Sequence, residues 1–272
     1  MDVVLTAGRT ELAQVVERHA NAPRKRDELR GKVVINLSLQ TANTLLHDGQ
    51  LWKRCGPERI VGETAELLDD ARHEDAEFIV HAGYASQRGL EEGGEPGDRL
   101  GPILAAAAEA ERLVLGSGRP ACVVRLGYLY GPESRDLRLY RRAFRMARPY
   151  WAGSGQRHNF LHTDDAARAL LGAAHQRPAG RVLYATDDEP ASFGAFMDYF
   201  ARRIGNPLPL HLPRISRRVS HFVVAEEHMQ MCELGVTGVP APRPRGFTPA
   251  YRDYQAGIDA VLATWSAHTT TT

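Results

Sequence analysis

A histidine and a tyrosine near the end of one apolar run are the side chains best suited to acid–base chemistry. His81 lies in the run Glu77–Ala82, and Tyr84 follows three residues later. An imidazole exchanges protons near neutral pH, and a phenol can donate a hydrogen bond to a developing oxyanion. We therefore predict that His81 and Tyr84 are a catalytic pair. The alternative is a histidine satisfied inside a strand beside a tyrosine on a loop surface.

Other reactive residues do not form a metal or disulfide pattern. The three cysteines are far apart and include no Cys-x-x-Cys pair: Cys55, Cys122 and Cys232. A zinc ribbon or a disulfide framework is therefore not supported. Glu226, Glu227 and His228 lack the His-Glu-x-x-His spacing that places two ligands on one helix face. We interpret them as a solvated helix face and predict no metal.

Composition and charge narrow the class of protein. The 272 residues include 34 basic and 33 acidic side chains, and this balance gives no electrostatic footprint for nucleic acid or anionic lipid. Hydrophobic residues make up 43% of the chain and charged residues 25%, as in ordinary globular proteins. No run of eighteen apolar residues predicts a membrane span. The start, MDVVLTAGRTEL, lacks a long apolar signal region, so we expect a cytoplasmic location.

Short apolar runs alternate with amphipathic stretches along the chain. The predicted strands are Val3–Thr6, Lys32–Leu37, Glu77–Ala82 and Ala121–Gly127, with helices at about 9–20, 58–73 and 100–116. Continuous apolar strands separated by helices are typical of a parallel sheet covered on both faces. We therefore predict a Rossmann-like α/β fold, which binds its ligand beyond the carboxyl ends of the strands.

Polar residues that follow these strands are the candidates for ligand binding. We predict four substrate-binding residues: Ser38, Ser86, Tyr128 and His162. Beyond Pro132 the pattern changes to arginine-rich, proline-rich and helical segments. We expect a Rossmann-like domain over 1–135, an interleaved substrate lobe over 136–268 and a disordered tail over 269–272.

Six segments, in order, resemble the extended short-chain dehydrogenase/reductase family, the NAD-dependent epimerase/dehydratase group. ELRGKVVINLSLQ resembles a strand that ends beside the cofactor, and AEFIVHAGYAS resembles the strand of the catalytic serine or threonine. EAERLVLGSGRPACVVRLGYLYGP is similar to the catalytic helix and the strand after it. GQRHNFLHTDDAARALLGAA, RVLYATDDEPASFGAFMDYFARRIGNPLP and FTPAYRDYQAGIDAVLA complete the likeness, which covers about 28–265.

The residues that carry hydride-transfer chemistry in that family are missing. Its Tyr-x-x-x-Lys pair cannot exist here, because the first tyrosine is Tyr84 and the last lysine is Lys53. The resemblance places Ile103 at the tyrosine position, Ala107 at the lysine position and Gly83 at the serine or threonine position.

The glycine-rich cofactor motif is missing as well. Gly8 is the only glycine before Gly31, and Glu11 would bring a negative charge close to a bound diphosphate. Only one strand–helix unit fits before the Lys32–Leu37 strand, so we expect a truncated N-terminal half. We predict that no cofactor is bound and that NAD(P) is not used.

These departures lead to three functional hypotheses. The first is a non-redox isomerase, cyclase or lyase that acts on a small biosynthetic intermediate. The second is an inactive member that binds a metabolite or a partner and regulates. The third is an unusual NAD(P)-dependent epimerase/dehydratase. The family resemblance also implies a homodimer, with 58–73 and 100–116 forming a four-helix bundle between subunits.

Overall fold

A computed structural model describes residues 3–6, 10–20, 29–38, 56–146, 155–209, 211 and 226–269. The strands are β1 (Val3–Thr6), β2 (Val33–Asn36), β3 (Phe78–Tyr84), β4 (Ala121–Leu126), β5 (Tyr128–Tyr130), β6 (Arg157–His158), β7 (Phe160–His162), β8 (Val182–Ala185) and β9 (Ala191–Ser192). The helices are α1 (Glu11–Ala20), α2 (Pro57–His73), α3 (Gln87–Glu91), α4 (Gly97–Leu115), α5 (Arg135–Arg145), α6 (Thr163–Gln176), α7 (Phe193–Arg203), α8 (Glu226–Glu233) and α9 (Tyr254–Thr269).

Five parallel strands form the main sheet, in the order β1-β2-β3-β4-β8. Nearly all of their residues are buried, because helices cover both faces of the sheet. The predicted Rossmann-like α/β fold is confirmed. In the part of the chain that the structure describes, β1 is an edge strand and only α1 lies between it and β2.

Side chains alternate between the two helix layers along each strand. Val80 and Ala82 of β3 pack in the cluster that contains α1 and α6. Ile79 packs with residues of α2 and α4 on the opposite face. His81 is two residues beyond Ile79, so it faces the layer of α2 and α4.

A second core, rich in aromatic side chains, adjoins the carboxyl ends of β3 and β4. It packs residues of α5, α7, α8 and α9 around Tyr130 and Phe160. Gly127 lets the chain approach closely, because a Cβ there would lie 2.8 Å from the carbonyl oxygen of Phe160. Next to it, the amide of Tyr128 donates to the carbonyl of Asn159 at 2.7 Å. This close approach brings the two cores together around one crevice.

The segments beyond residue 136 contribute to both cores. α6 covers the main sheet and β8 completes it, although both follow α5 in the sequence. The boundary at residue 135 stays a prediction. Among the described residues, no helix has the length and apolar character needed to cross a membrane.

Candidate functional site

Three polar side chains lie side by side on β1, β2 and β3, at the carboxyl ends of the first two strands. Thr6 donates to Asn36 Oδ1 at 3.3 Å, and Asn36 Nδ2 lies 3.0 Å from His81 Nδ1. The amide nitrogen can only donate, so Nδ1 is the acceptor and the ring proton of neutral His81 is on Nε2. His81 is fully buried, and its Nε2 has no hydrogen-bond partner within the described residues. Burial lowers the pKa of His81 to about 4.

Gly83 makes room for a buried carboxylate at the position of the family's serine or threonine. A Cβ at Gly83 would collide with the carboxylate of Glu111, on α4, and would lie 3.3 Å from Arg125 Cγ. On the same helix, Ile103 and Ala107 are 5% and 0% exposed and pack in an apolar cluster. The three positions that carry the family's catalytic residues are therefore closed by packing.

A fully paired charge network lies beside that glycine. Arg125 Nη2 donates to Glu111 Oε2 at 2.7 Å, and Arg125 Nη1 donates to Glu91 at 2.5 Å and to the Tyr184 hydroxyl at 2.7 Å. Burial opposes the charge of Arg125, but the hydrogen bonds that its guanidinium donates to the two carboxylates raise its pKa overall. Burial likewise raises the pKa of Glu111, against the effect of Arg125. The network fixes α3 and α4 on the sheet.

A pocket with a volume of about 40 Å³ opens where β3 and β4 end. Its walls come from three parts of the chain, namely the ends of the two strands, the β6 region and the C-terminal segments. The described lining residues are Tyr84, Ala85, Ser86, Leu126, Gly127, Tyr128, His158, Asn159, Phe193, Met231, Leu234 and Val236. The structure thus brings together the predicted residues Tyr84, Ser86 and Tyr128.

His158 and Asn159 supply the polar part of the far wall. His158 Nε2 lies 3.3 Å from the carbonyl of Cys232, and burial lowers the pKa of this imidazole to about 4. Asn159 Nδ2 donates to the carbonyl of Gly238 at 3.3 Å. His158 was not predicted from the sequence, because neither its spacing nor its segment links it to the strand ends. The sequence signal that could have found it is its position next to Asn159, another polar residue.

Three of the predicted site residues lie outside the lining of this pocket. His81 is fully buried within β3, three residues before the lining residue Tyr84. Ser38 follows β2, and its amide donates to Asn36 Oδ1 at 3.1 Å. His162 is 1% exposed and caps α6, because its Nδ1 accepts from the amide of Asp164 at 3.2 Å. Roles in catalysis or substrate binding for these residues stay predictions.

The interpretation of 226–228 as a solvated face is wrong for one residue. His228 is fully buried, and its Nε2 lies 3.4 Å from Cys232 Sγ. α8 packs against the aromatic core, with the rings of His228 and Phe193 5.0 Å apart. Within the described residues no group of three or more histidine, cysteine, aspartate or glutamate side chains could hold a metal ion.

The start of α1 tests whether a dinucleotide fits this edge of the sheet. Thr10 caps the helix, with its Oγ1 accepting from the amide of Ala13 at 3.1 Å. The carboxylate of Glu11 is directed to the start of α5, where it accepts from the amide of Arg135 at 2.7 Å. The helix N-terminus, a general site for phosphate, is thus compatible with a diphosphate. Gly8 lies outside the described residues.

Comparisons with known proteins give one curated relative and many structures. No family model matches the chain. A "3-diazoavenalumate denitrifying reductase" from Streptomyces sp. is 32% identical over 158 residues, which are 56% of this chain and 51% of the relative. The match therefore spans about half of the relative's length.

Solved structures match almost the whole chain at low identity. Human epimerase family protein SDR39U1 with NADPH has a TM-score of 0.71 at 15% identity, covering 97% of this chain and 99% of that one. RMD from Pseudomonas aeruginosa with NADPH has a TM-score of 0.71 at 16% identity, covering 98% and 99%. MoeE5 with UDP-glucuronic acid and NAD has a TM-score of 0.71 at 20% identity, covering 98% and 100%. The chain has the fold of the extended dehydrogenase/reductases, so the resemblance is confirmed at the level of the fold.

The prediction that this scaffold binds no cofactor is wrong, because these neighbours hold NADPH or NAD. The prediction rested partly on Glu11, whose charge was expected to face a diphosphate. Its carboxylate instead caps α5 through Arg135. The absence of a glycine motif does not remove the helix N-terminus that binds phosphate in such folds.

Proposed function

We propose that the chain is a nicotinamide-dependent reductase of a small molecule. The observation that carries the proposal is the position of His81 Nε2, which has no hydrogen-bond partner among the described residues. It lies on β3, the strand whose end also forms the pocket. Structural neighbours solved with NADPH or NAD support a nicotinamide at this edge of the sheet. The curated relative, itself called a reductase, supports a redox role.

The described residues offer contacts to both ends of such a cofactor. The N-terminus of α1, capped by Thr10, would hold the diphosphate. Asn36 and His81 would hold the nicotinamide end, where His81 Nε2 can donate a hydrogen bond. A bound reduced nicotinamide would supply a hydride.

The family's catalytic positions on α4 hold apolar residues in this chain. This favours a reduction in which the substrate needs no proton from that helix. Ile103 and Ala107 cannot donate one, and both lie in an apolar cluster. The relative's name joins a diazo compound, loss of nitrogen and a reductase. When a hydride adds to an aryl diazonium carbon, a C–H bond forms, the C–N bond breaks, and N₂ leaves with the bonding pair. That stoichiometry needs no proton, so a diazonium is a substrate class that suits this site.

A non-redox isomerase, cyclase or lyase is the second candidate, and the same closed positions favour it. Such an enzyme would rely on His81 and Tyr84 for proton transfer, as the sequence analysis predicts. If the protein is catalytically inactive, binding of a metabolite would serve a regulatory function. A homodimer through α2 and α4 remains part of the proposal, because these helices pack as a pair against the sheet.

Cofactor binding separates these candidates. With NADH or NADPH at ten times its dissociation constant, we expect stabilisation of about 1.4 kcal/mol, a rise in Tm of roughly 3–6 °C. His81→Gln should weaken that binding several-fold, whereas His175→Gln, an exposed histidine on α6, should not. If millimolar NADH and NADPH both leave Tm unchanged, the reductase proposal is wrong and the non-redox candidate takes its place.

The proton-free stoichiometry has its own test. We would incubate the protein with NADPH and benzenediazonium tetrafluoroborate in D₂O. We expect protein-dependent N₂ release and benzene without solvent deuterium, above a control with heat-denatured protein. Benzene labelled from solvent, or no rate above the control, would contradict this substrate class.

A further inference from the structure

We propose that the pocket at the ends of β3 and β4 binds an aromatic molecule that has a hydrogen-bond donor and no anionic group, of the phenol class. It is not built for a nucleotide sugar such as the one held by MoeE5. Its assignment as the substrate site rests on the proposed reductase function. Shape, hydrogen bonding and charge each support the choice of ligand.

The walls of the pocket are largely apolar and aromatic. Tyr128 meets Phe193 edge to face, with ring centroids 4.9 Å apart and planes at 81°. Leu126 closes one side, and the C-terminal segments add Met231, Leu234 and Val236. Rigid aromatic and aliphatic walls favour a flat apolar ring.

Asn159 and His158, on the far wall of the pocket, each have an acceptor atom. The hydrogen bond from Asn159 Nδ2 to the carbonyl of Gly238 fixes the amide orientation and makes Oδ1 the acceptor. Oδ1 is buried and has no partner among the described residues, and Asn159 as a whole is 5% exposed. His158 donates through Nε2 to the carbonyl of Cys232, so its Nδ1 carries the lone pair. A ligand hydroxyl would satisfy such an acceptor.

Charged groups are missing from the described lining of the pocket. None of its lining residues is a lysine, arginine, aspartate or glutamate. Arg125 precedes the lining residue Leu126, but Glu111 and Glu91 already pair its guanidinium. A diphosphate would enter without a cationic partner, and burying an unpaired charge is costly.

Three probes test the proposal by isothermal titration in the absence of nicotinamide. They are p-cresol, 4-methylanisole and UDP-glucose. We expect p-cresol to bind about ten-fold more tightly than 4-methylanisole, because only the phenol can donate to Asn159 Oδ1. UDP-glucose should bind more weakly than either. Equal binding of the two aromatic probes, or tighter binding of UDP-glucose, would overturn the proposal.

Two substitutions assign the effect to Asn159. In Asn159→Leu, p-cresol and 4-methylanisole should bind with about equal affinity, and binding of 4-methylanisole should persist. Asn159→Asp keeps an acceptor of the same shape, so it should retain the preference for p-cresol. Asn206→Leu, outside the pocket lining, serves as the control. A preference that survives Asn159→Leu in a folded protein would contradict the assignment. If the preference holds but NADPH does not bind, the reductase proposal fails and the ligand assignment stands.

Discussion

Two groups of polar side chains lie on the same face of the sheet and are built in opposite ways. Around Arg125, three partner side chains take up the guanidinium donors, and two of them are carboxylates. Around His81 and the pocket, the polar groups are neutral, and described atoms such as His81 Nε2 and Asn159 Oδ1 have no partner in the described chain. Satisfied charges hold a fold, whereas buried atoms without partners mark a place where a ligand can complete the hydrogen bonding.

The same contrast distinguishes the family's catalytic positions from the polar atoms that have no partner among the described residues. The family's catalytic positions fall at Gly83, Ile103 and Ala107, beside the paired charges or inside apolar packing. The open polar atoms lie on β3 and on the wall that contains Asn159. We infer that the reactive part of the crevice has moved away from α4, toward the strand ends and the C-terminal segments.

Removing Arg125 from its charge network should cause the largest loss of stability. Arg125→Leu leaves Glu111 buried without its cation, and removal of one partner from a buried pair costs about 3–5 kcal/mol. We expect Tm in a thermal melt to fall by at least about 6 °C. Arg177→Leu is the control, because Arg177 pairs with Glu77 where their side chains are 39% and 45% exposed. Equal losses in the two variants would mean that burial does not distinguish the network.

Restoring the family's residue at one catalytic position should destabilise the chain. Gly83→Ser drives a side chain into the Glu111 carboxylate, and overpacking of this kind costs about 1–3 kcal/mol. Gly62→Ser is the matched control, because a Cβ at Gly62 meets nothing within 4 Å. Urea unfolding of both variants measures the difference. A neutral Gly83→Ser variant would show that the glycine is not needed to accommodate Glu111.

The fold was largely accessible from the sequence, because its signal is local. The apolar run predicted over Ala121–Gly127 forms β4 at Ala121–Leu126, and the helix predicted at 58–73 forms α2 at Pro57–His73. Each of these elements is buried where its hydrophobic pattern requires it. The order of six family-like segments then predicted how the elements connect.

The site was only partly accessible, because its walls come from distant parts of the chain. Tyr84, Ser86 and Tyr128 follow strands, so the rule that ligands bind at strand ends found them. His158 and Met231 reach the pocket through the packing of the second core, which no short spacing encodes. The contact between Glu11 and the amide of Arg135 was inaccessible for the same reason, since the two residues are 124 positions apart.

The buried neutral histidine of the pocket wall, His158, should make the stability of the protein depend on pH. Burial lowers the pKa of His158 to about 4, from an ordinary value of 6.5. Between pH 6.5 and 4 the unfolded chain therefore binds the extra proton, and stability falls as the pH falls through this window. His158→Gln cannot titrate and should remove about 1 kcal/mol of the loss between pH 7 and 5.5. Unfolding midpoints at both pH values measure this change, and an unchanged pH dependence would contradict the burial of a neutral imidazole.

The smallest effect is expected where the pocket has a weak polar contact. The Tyr128 hydroxyl lies 3.5 Å from Asp136 Oδ2, at the limit of a hydrogen bond, whereas its ring packs against Phe193 and Phe160. Tyr128→Phe keeps the ring, so we expect a change in unfolding free energy within about 0.5 kcal/mol. The preference for p-cresol should also persist, because the proposal assigns it to Asn159. Loss of that preference in Tyr128→Phe would move the polar recognition from the far wall of the pocket to the strand end.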